Sequence, residues 1–402
     1  MKYHFMLHLA ALAAGAQVSY AQCEQDKLVS SNQSAGAFGH AVDISGQFAV
    51  IGDHLEDIGQ NIDAGAAYVF RSTSTGWVEY ARIVSNDLIY HIYDHFGSSV
   101  AIDDDTILVG APCDQYPERR GAAFVFEFDG TNWVQTAKLT ASAALNPAYF
   151  GYSVALEGDR ALIGARGGNG GLGAAYIFER SGSSWTEIAS LTASDGQFMD
   201  FLGESVSLSG GFALVGAIGD DALSGSAYLF DEAAGWAEVA KLVPEDPMPN
   251  KYFAKSVSIS GDVAVIGAQG DSTLGDQSGA VYVFEKVSND WGSGTKILAE
   301  DGPATGYFGA KVAIDNCAFV IGSPVGGPGS AYVYGKDSGT WTFRAKLSPS
   351  DGVPGNAFGA VVASAGDSIL VGTLHGNGPQ DYVGAAYVFQ MPSFATPYCF
   401  GV

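Results

Sequence analysis

A unit of about 53 residues recurs along the chain, and this repeat constrains the fold more than any other feature. The copy at Phe150–Leu191 contains four short runs rich in β-branched and aromatic residues. Turn residues separate the runs, for example Glu157-Gly158-Asp159 and the glycine-rich stretch that begins at Gly167. Short runs of this composition between turns predict a four-stranded antiparallel meander.

Each copy opens with a phenylalanine, and a glycine follows it in most copies. The opening residues are Phe38, Phe96, Phe150, Phe201, Phe253, Phe308 and Phe358. In the fourth copy the glycine is displaced to Gly203, and in the fifth copy Ala254 replaces it. Seven four-stranded units at this period predict an all-β fold, a seven-bladed β-propeller. Helical solenoids are excluded because no copy shows apolar residues at a spacing of 3.6.

The two ends of the repeat array complement each other. Asp26-Lys27-Leu28-Val29, before the first Phe-Gly, resembles the fourth strand of other copies, such as Ala137-Lys138-Leu139. The last copy stops after its third strand, Ala386-Tyr387-Val388-Phe389. We therefore predict that the N-terminal strand completes the last blade, which closes the ring and removes an open sheet edge.

The second run of most copies ends in a shared tripeptide pattern: Val109-Gly110-Ala111, Ile163-Gly164-Ala165, Val215-Gly216-Ala217, Ile266-Gly267-Ala268 and Ile321-Gly322-Ser323. Together with the opening Phe-Gly, this pattern resembles the FG-GAP repeat of integrin-α-type β-propellers and their secreted relatives. The resemblance implies a non-enzymatic extracellular binding or adhesion module that uses its loop rim. It implies an extracellular protein or glycan as partner.

The resemblance also suggests a calcium site, because integrin-type repeats often carry Asp-x-Asp-x-Asp-Gly between their first and second strands. The equivalent hairpins here are short, and Asp103–Asp105 comes nearest to that pattern. Too few spaced oxygen ligands remain for a calcium site, so the hairpins are interpreted as tight turns. We expect no metal site and no cofactor.

The loops between the second and third strands should share one face with the linkers between blades. This rim is acidic, and the candidate binding residues on it are Asp53, Glu56, Asp57, His54 and His375. The alternative interpretation is that these are solvated loop residues, whereas the functional one is a ligand-binding rim. His54 and His375 lie in equivalent loops of neighbouring blades, but no His-x-x-x-His spacing supports a transition-metal site.

Charge and composition limit the possible partners. The net charge is −24 and the 19 Lys and Arg residues are scattered, which argues against nucleic acid and anionic membranes. With 12% aromatic and only 15% charged residues, the chain is not of the disordered class. No Gly-x-Ser-x-Gly elbow is present, so we expect no enzymatic activity and no catalytic residues.

The first 21 residues are typical of a secretory signal, with a small-x-small pattern at Ser19-Tyr20-Ala21. We expect the signal peptide at 1–21, the propeller at 22–390 and a short tail at 391–402. The protein is then secreted and extracellular, with no membrane span. We also expect it to be a monomer.

The four cysteines divide into two kinds. Cys23 and Cys399 flank strands of the last blade, so an oxidising compartment allows a disulfide between them. Cys113 and Cys317 fall in distant blades and are expected to be unpaired, with Cys317 inside a strand.

Two other functions stay open at this stage. One is an extracellular enzyme acting on polysaccharide, which would need His, Asp or Glu converging near the mouth of the channel. The other is a structural component of a cell surface.

Overall fold

Alternating apolar residues and tight turns fold the chain into seven four-stranded antiparallel sheets. The structure is a computed structural model, and it describes residues 24–32, 36–87, 92–142, 148–288, 290–301, 305–375 and 383–392. The innermost strands contact one another in succession, and the last contacts the first, so the sheets close into a ring. The predicted seven-bladed β-propeller is confirmed.

The described chain begins with strand β1 (Glu24–Leu28), and blade one follows it. The strands of blades one to four, from the channel outward, are β2 (Ala41–Ser45), β3 (Phe48–Asp53), β4 (Ala66–Thr73) and β5 (Gly76–Ile83); β6 (Ser99–Asp103), β7 (Thr106–Ala111), β8 (Ala122–Phe128) and β9 (Trp133–Leu139); β10 (Phe150–Glu157), β11 (Arg160–Ala165), β12 (Ala174–Ser181) and β13 (Ser184–Leu191); β14 (Leu202–Ser209), β15 (Phe212–Ala217), β16 (Ser226–Asp231) and β17 (Ala237–Leu242).

Blade seven takes its outer strand from the beginning of the chain, as predicted. The strands of blades five to seven are β18 (Phe253–Ser260), β19 (Val263–Ala268), β20 (Ala280–Glu285) and β21 (Thr295–Ile297); β22 (Val312–Asp315), β23 (Ala318–Ser323), β24 (Ser330–Asp337) and β25 (Thr340–Leu347); β26 (Val361–Ala365), β27 (Ser368–Thr373) and β28 (Ala385–Gln390). Strand β1 pairs antiparallel with β28 through Lys27↔Tyr387 and Leu28↔Ala386. Both ends of the repeat array therefore meet in one sheet.

Helical structure in the described residues is limited to single turns in loops. These turns are α1 (Gly168–Gly171), α2 (Asp220–Leu223) and a 3-10 turn at Glu232–Ala234. Within the described ranges, no helix has the length and apolar character needed to cross a membrane.

The opening phenylalanines fill the seams between blades. Phe150 lies with its ring centroid 5.6 Å from Tyr176 and 6.0 Å from Phe178, the Tyr-x-Phe pair on one face of β12. Its backbone N–H donates to the carbonyl of Arg120 in blade two. Because Phe150 packs in a cluster with Leu108 and Val125 of blade two, one aromatic ring joins two sheets.

In blade four the opening position lies one residue later than the sequence motif predicted. Leu202, not Phe201, takes the opening position, because Leu202 bridges Gly173 just as Phe150 bridges Gly121. Gly203 then follows directly, with φ of +92° like the +87° of Gly151. The prediction that Phe201 opens the copy with a displaced glycine is wrong. In the register of the other blades, Leu202-Gly203 takes the place of Phe-Gly, and Phe201 precedes it.

Polar side chains on the inner strands protect an edge that has no further strand to pair with. Asp43 Oδ2 accepts the N–H of Ile102 at 2.8 Å, and Ser256 Oγ accepts that of Val312 at 3.0 Å. In both cases a side chain of one blade satisfies a backbone donor on the next inner strand. This explains why inner strands carry Ser and Asp although they face a narrow channel.

The two described cysteines differ in state. Cys113 is a free, buried thiol, as predicted. Cys317 is disulfide-bonded and lies in the turn before β23, so the prediction of an unpaired cysteine inside a strand is wrong. Cys23 and Cys399 lie outside the described residues, as do the signal segment 1–21 and most of the tail 391–402.

Candidate functional site at the mouth of the central channel

The inner strands of all seven blades enclose a channel of about 990 Å³, which lies in the size range of ligand cavities. One end carries the hairpins between first and second strands. The other end opens on the face that carries the blade linkers and the loops between second and third strands, here called the linker face. The candidate binding residues named from the sequence lie at this face, Asp53 at the end of β3 and the others in loops.

The acidic candidate residues on the linker face differ in how deeply they are buried. Glu56 is fully buried and accepts hydrogen bonds from Tyr68 at 2.7 Å and from Arg82 Nε at 2.9 Å. Asp53 is 1% exposed and accepts the N–H of Ala37, and burial raises its pKa to about 6. Asp57 is exposed and accepts the N–H of Asp63 at 2.9 Å. Asp53 and Glu56 thus hold blade one together.

Most blades repeat this use of acid in a three-residue contact, here called the outer latch. An aspartate in the linker before the blade binds a lysine on the outer strand, and the lysine lies beside a buried aromatic ring on the third strand. The latch lysines and aspartates are Lys138–Asp87 (2.8 Å), Lys241–Asp195 (2.7 Å), Lys296–Asp246 (2.8 Å), Lys346–Asp301 (2.8 Å) and Lys27–Asp351 (2.5 Å).

The chemistry of the latch keeps its carboxylates ionised. The hydrogen bond from Lys241 lowers the pKa of Asp195, which also accepts the hydroxyl of Tyr228 at 2.7 Å. In blade five the latch extends to Lys251, a fully buried ammonium 2.6 Å from Asp246 and 3.1 Å from Asp271. Many carboxylates of the linker face therefore hold linkers onto blades.

The channel mouth differs, because equivalent positions carry different residues from blade to blade. The second residue after the opening position points to the channel in every blade. In order around the ring these residues are His40, Ser98, Tyr152, Glu204, Lys255, Ala310 and Ala360. Packing of the repeat does not require any one of these types. The polar side chains among them are consequently the best candidates for recognition.

Three histidines converge on one side of the mouth. The ring of His54 lies 4.1 Å from that of His40 and 5.6 Å from that of His95, measured between centroids. Burial lowers the pKa of His40 to about 4 and that of His54 to about 3, so both rings are neutral at pH 7. Among the described residues, none hydrogen-bonds the buried Nδ1 of His54. His375 is exposed, and its backbone N–H donates to the carbonyl of Asn356.

A group of charged residues faces the histidines. Glu204, whose side chain is 2% exposed, accepts from Arg166 at 2.8 Å and from Lys255 at 2.5 Å. Arg166 stacks on Tyr152 and Phe201, with its guanidinium carbon 4.6 and 5.1 Å from the ring centroids. The half-buried Lys311 enters from blade six. Burial, reinforced by the charge of Lys255, lowers the pKa of Lys311 to about 8.

On the linker face one half-buried residue lies directly before each opening position, and His95, Tyr149 and Ala357 of this set line the channel. In five blades this residue is aromatic and has a left-handed backbone, and these five are here called the collar. They are His95 (φ +57°), Tyr149 (+54°), Phe201 (+56°), Tyr252 (+55°) and Tyr307 (+53°). For a residue with a side chain this conformation costs on the order of 1 kcal/mol, so the surrounding structure imposes it.

The hairpins at the other end of the channel use their carboxylates locally. Asp103 Oδ2 accepts the N–H of Gly158 at 2.7 Å, and Asp104 has φ of +48° in a tight turn. Among the described residues, no group of three or more His, Cys, Asp or Glu has an arrangement that could hold a metal ion. The neutral histidines therefore pack as rings against one another.

The sequence indicated some of these residues and missed others. It named His54, but it paired that residue with His375 rather than with His40 and His95. It did not single out Glu204, Lys255 or Lys311. Glu204 and Lys255 occupy a position that varies from copy to copy, and Lys311 interrupts a position that is small or apolar in the other copies. An alignment of the seven copies, searched for polar residues at non-repeating positions, would have found them.

The sequence of the chain matches a family model over nearly all of the ring. The matching model is described as the FG-GAP repeat, and it matches residues 23–70, 77–126, 133–178, 185–230, 236–284, 291–334 and 341–389. Among curated proteins, none matches the chain.

Proposed function

Because the chain belongs to the FG-GAP repeat family, we propose that it is a secreted, non-enzymatic module that binds an extracellular protein or glycan on its linker face. The family match covers fold rather than activity, and one scaffold hosts many functions. The proposal therefore rests on the chemistry of the linker face.

One observation carries the proposal. On this face the acidic residues are largely tied into outer latches, whereas the channel mouth presents polar side chains that the repeat does not need. His54 Nδ1 is buried without a hydrogen-bond partner in the part of the chain that the structure describes, and Lys311 approaches Lys255 from the neighbouring blade. Polar groups of this kind, held by a rigid ring, favour ligand recognition at the mouth.

The charge balance and the N-terminal segment support an extracellular setting. Asp and Glu number 43 against 19 Lys and Arg, which favours solubility and disfavours binding to anionic cell components. The segment 1–21 has the character of a secretory signal.

A second function is favoured by one specific observation, the convergence of three neutral histidines with Tyr149, Tyr152 and a lysine of pKa about 8. An amine whose pKa of about 8 lies near neutral pH can take part in proton transfer, so an enzyme acting on polysaccharide is the alternative. The ion pairs of Glu204 with two cations favour binding over acid catalysis by this carboxylate.

The test uses purified residues 22–402 on an array of extracellular glycans and on immobilised extracellular-matrix proteins. We expect saturable binding that Lys255→Ala weakens. Lys286→Ala, next to the turn between the third and outer strands of blade five on the opposite face, should leave binding unchanged. Release of shortened products from a polysaccharide panel would instead support the enzyme. Equal binding by the two variants would contradict a site on the linker face.

A further inference from the structure

The channel mouth concentrates positive charge in a protein of net charge −24. Arg166, Lys255 and Lys311 meet there with one carboxylate, that of Glu204. The three histidines opposite are neutral at pH 7, so they do not change this count. The carboxylates of Asp43, Asp103 and Asp315 also line the channel, but they lie toward its far end and accept backbone N–H groups there.

Glu204 satisfies two of the three cations and leaves the third. Its Oε2 binds Arg166 and its Oε1 binds Lys255. Within the described part of the chain, Lys311 Nζ makes no hydrogen bond or ion pair, and its nearest charged neighbour of the same sign is Lys255. An ammonium held half-buried beside another ammonium is unfavourable unless an anion joins them. The mouth therefore has a place for one anionic group between Lys255 and Lys311.

The remaining walls of the mouth are suited to a sugar ring, which presents C–H groups on its faces and hydroxyl groups at its edge. Tyr149 of the collar and the neighbouring Tyr152 line the channel, and both are half-buried. Blades six and seven supply small or apolar residues, including Ala310, Pro324, Ala360 and Leu374. Aromatic side chains provide large, rigid contact surfaces for the C–H face of a sugar ring. Tyr and His atoms at the edge can donate to and accept from hydroxyl groups.

We propose that the channel mouth binds an acidic saccharide, whose carboxylate lies between Lys255 and Lys311 and whose ring packs on Tyr149 and Tyr152. This inference rests on the proposed function and specifies its ligand. Neither the ammonium groups nor the aromatic wall suffices alone, since a small inorganic anion needs no aromatic wall and a neutral sugar needs no free ammonium. Their combination in one cavity of about 990 Å³ selects a sugar that carries a carboxylate.

The experiment is calorimetric titration of residues 22–402 with an oligogalacturonate of three sugars and with its carboxyl-reduced form, which differs only in charge. We expect binding of the acidic form, and at least about tenfold weaker binding of the reduced form. Lys311→Ala should weaken binding of the acidic form by about tenfold or more, and Lys311→Arg should restore most of it. Lys286→Ala is the matched control, because it also removes one positive charge but on the opposite face.

A second variant tests the sugar-packing half of the proposal. Tyr149→Ala should weaken binding of the acidic saccharide while leaving any weak binding of inorganic phosphate unchanged. Melting temperatures must show that each variant is folded. Equal affinity for phosphate and for the oligogalacturonate would overturn the saccharide assignment in favour of a general anion site. Equal binding of the acidic and reduced forms would overturn the role of Lys311.

The outcome also separates the two proposals. If the mouth variants bind array ligands as wild type does and no acidic saccharide binds, the inference fails while binding on the linker face stands. If the protein binds no glycan and no matrix protein at all, the proposed function fails with it.

Discussion

At the scale of single residues, the repeat separates positions that packing fixes from positions that vary. The second-strand glycine is fixed because a neighbouring backbone lies against it. A Cβ added at Gly164 would lie 2.3 Å from the carbonyl oxygen of Gly203 in the next blade. The position after the opening Phe-Gly varies, because its side chain points into the channel. This contrast locates the candidate site without any relative for comparison.

Gly164→Ala should therefore destabilise the protein by about 1–3 kcal/mol, since backbone rather than a flexible side chain must move. The control is Gly168→Ala in the same blade, where the added Cβ meets Ala174 Cβ at an ordinary 3.5 Å. Chemical denaturation of the two variants measures the difference. Equal midpoints would refute the close approach of blades three and four.

His54 should make stability depend on pH in a defined direction. Its folded pKa is lowered by burial from 6.5 to about 3, so the unfolded chain takes up the proton first as the pH falls. The stabilising effect is complete above pH 6.5 and is lost as the pH falls toward 3. The unfolding free energy of wild type relative to His54→Gln should drop by about 1–2 kcal/mol between pH 7 and pH 4.5, allowing for partial exposure.

The check is urea denaturation of both proteins at pH 8, 7, 5.5 and 4.5. Between pH 8 and pH 7 the difference should be constant, because the ring is then neutral in both states. A difference that is the same at pH 4.5 and pH 7 would contradict a neutral His54 in the fold.

At the scale of elements, the outer latch joins the linker to the blade that follows it in five of the seven blades, counted over the described residues. The register places each latch lysine opposite the buried aromatic residue of the third strand, as in Tyr228↔Lys241 and Tyr282↔Lys296. The linker aspartate then completes the contact from the preceding blade. The acidic linkers are thereby held against the ring, together with the collar residues at their ends.

The buried and exposed versions of the latch should differ in strength. Asp271→Asn removes a fully buried partner of Lys251, so we expect a loss of about 3–5 kcal/mol. Asp301→Asn removes a partner that is 56% exposed, and the expected loss is below about 1 kcal/mol. Thermal unfolding of both variants ranks them, and the reverse order would show that the latch does not depend on burial.

Strand positions could be predicted from the sequence, whereas the contacts between elements could not. Alternation and turn residues were enough to place the strands and to assign β1 to blade seven. The fourth opening residue was misplaced because Phe201 matches the motif by type, while Leu202 matches it by register. Ion pairs such as Lys241–Asp195 depend on the path of a linker, which has no periodicity. The channel mouth depends on seven chain segments meeting at one axis.

At the scale of the whole molecule, the repeat in sequence is offset by one strand from the blade in space. The matched segment 23–70 contains β1, the outer strand of blade seven, and then the first three strands of blade one. Each later segment likewise begins with the outer strand of the preceding blade. Seven such units leave no unpaired sheet when the ring closes, so closure is a consequence of the repeat itself.

Removal of residues 1–32 should expose the edge of β28 and cause self-association as well as a lower melting temperature. A synthetic peptide of residues 24–32, added in excess, should restore a monomer by pairing with that edge. Light scattering after size-exclusion chromatography distinguishes the states. A truncated chain that stays monomeric with an unchanged melting temperature would show that β1 does not close the ring.

The pairing of β1 with β28 also determines how the ring would respond to mechanical load. The register sets Glu24, at the start of β1, opposite Phe389, near the end of β28. A tension applied to the chain at Glu24 and Gln390 would therefore act on one and the same end of this strand pair. Its hydrogen bonds would bear the load one after another, as in a zipper, rather than together in shear. Pulled between these two points, the ring opens first at blade seven, while the other six blades remain intact.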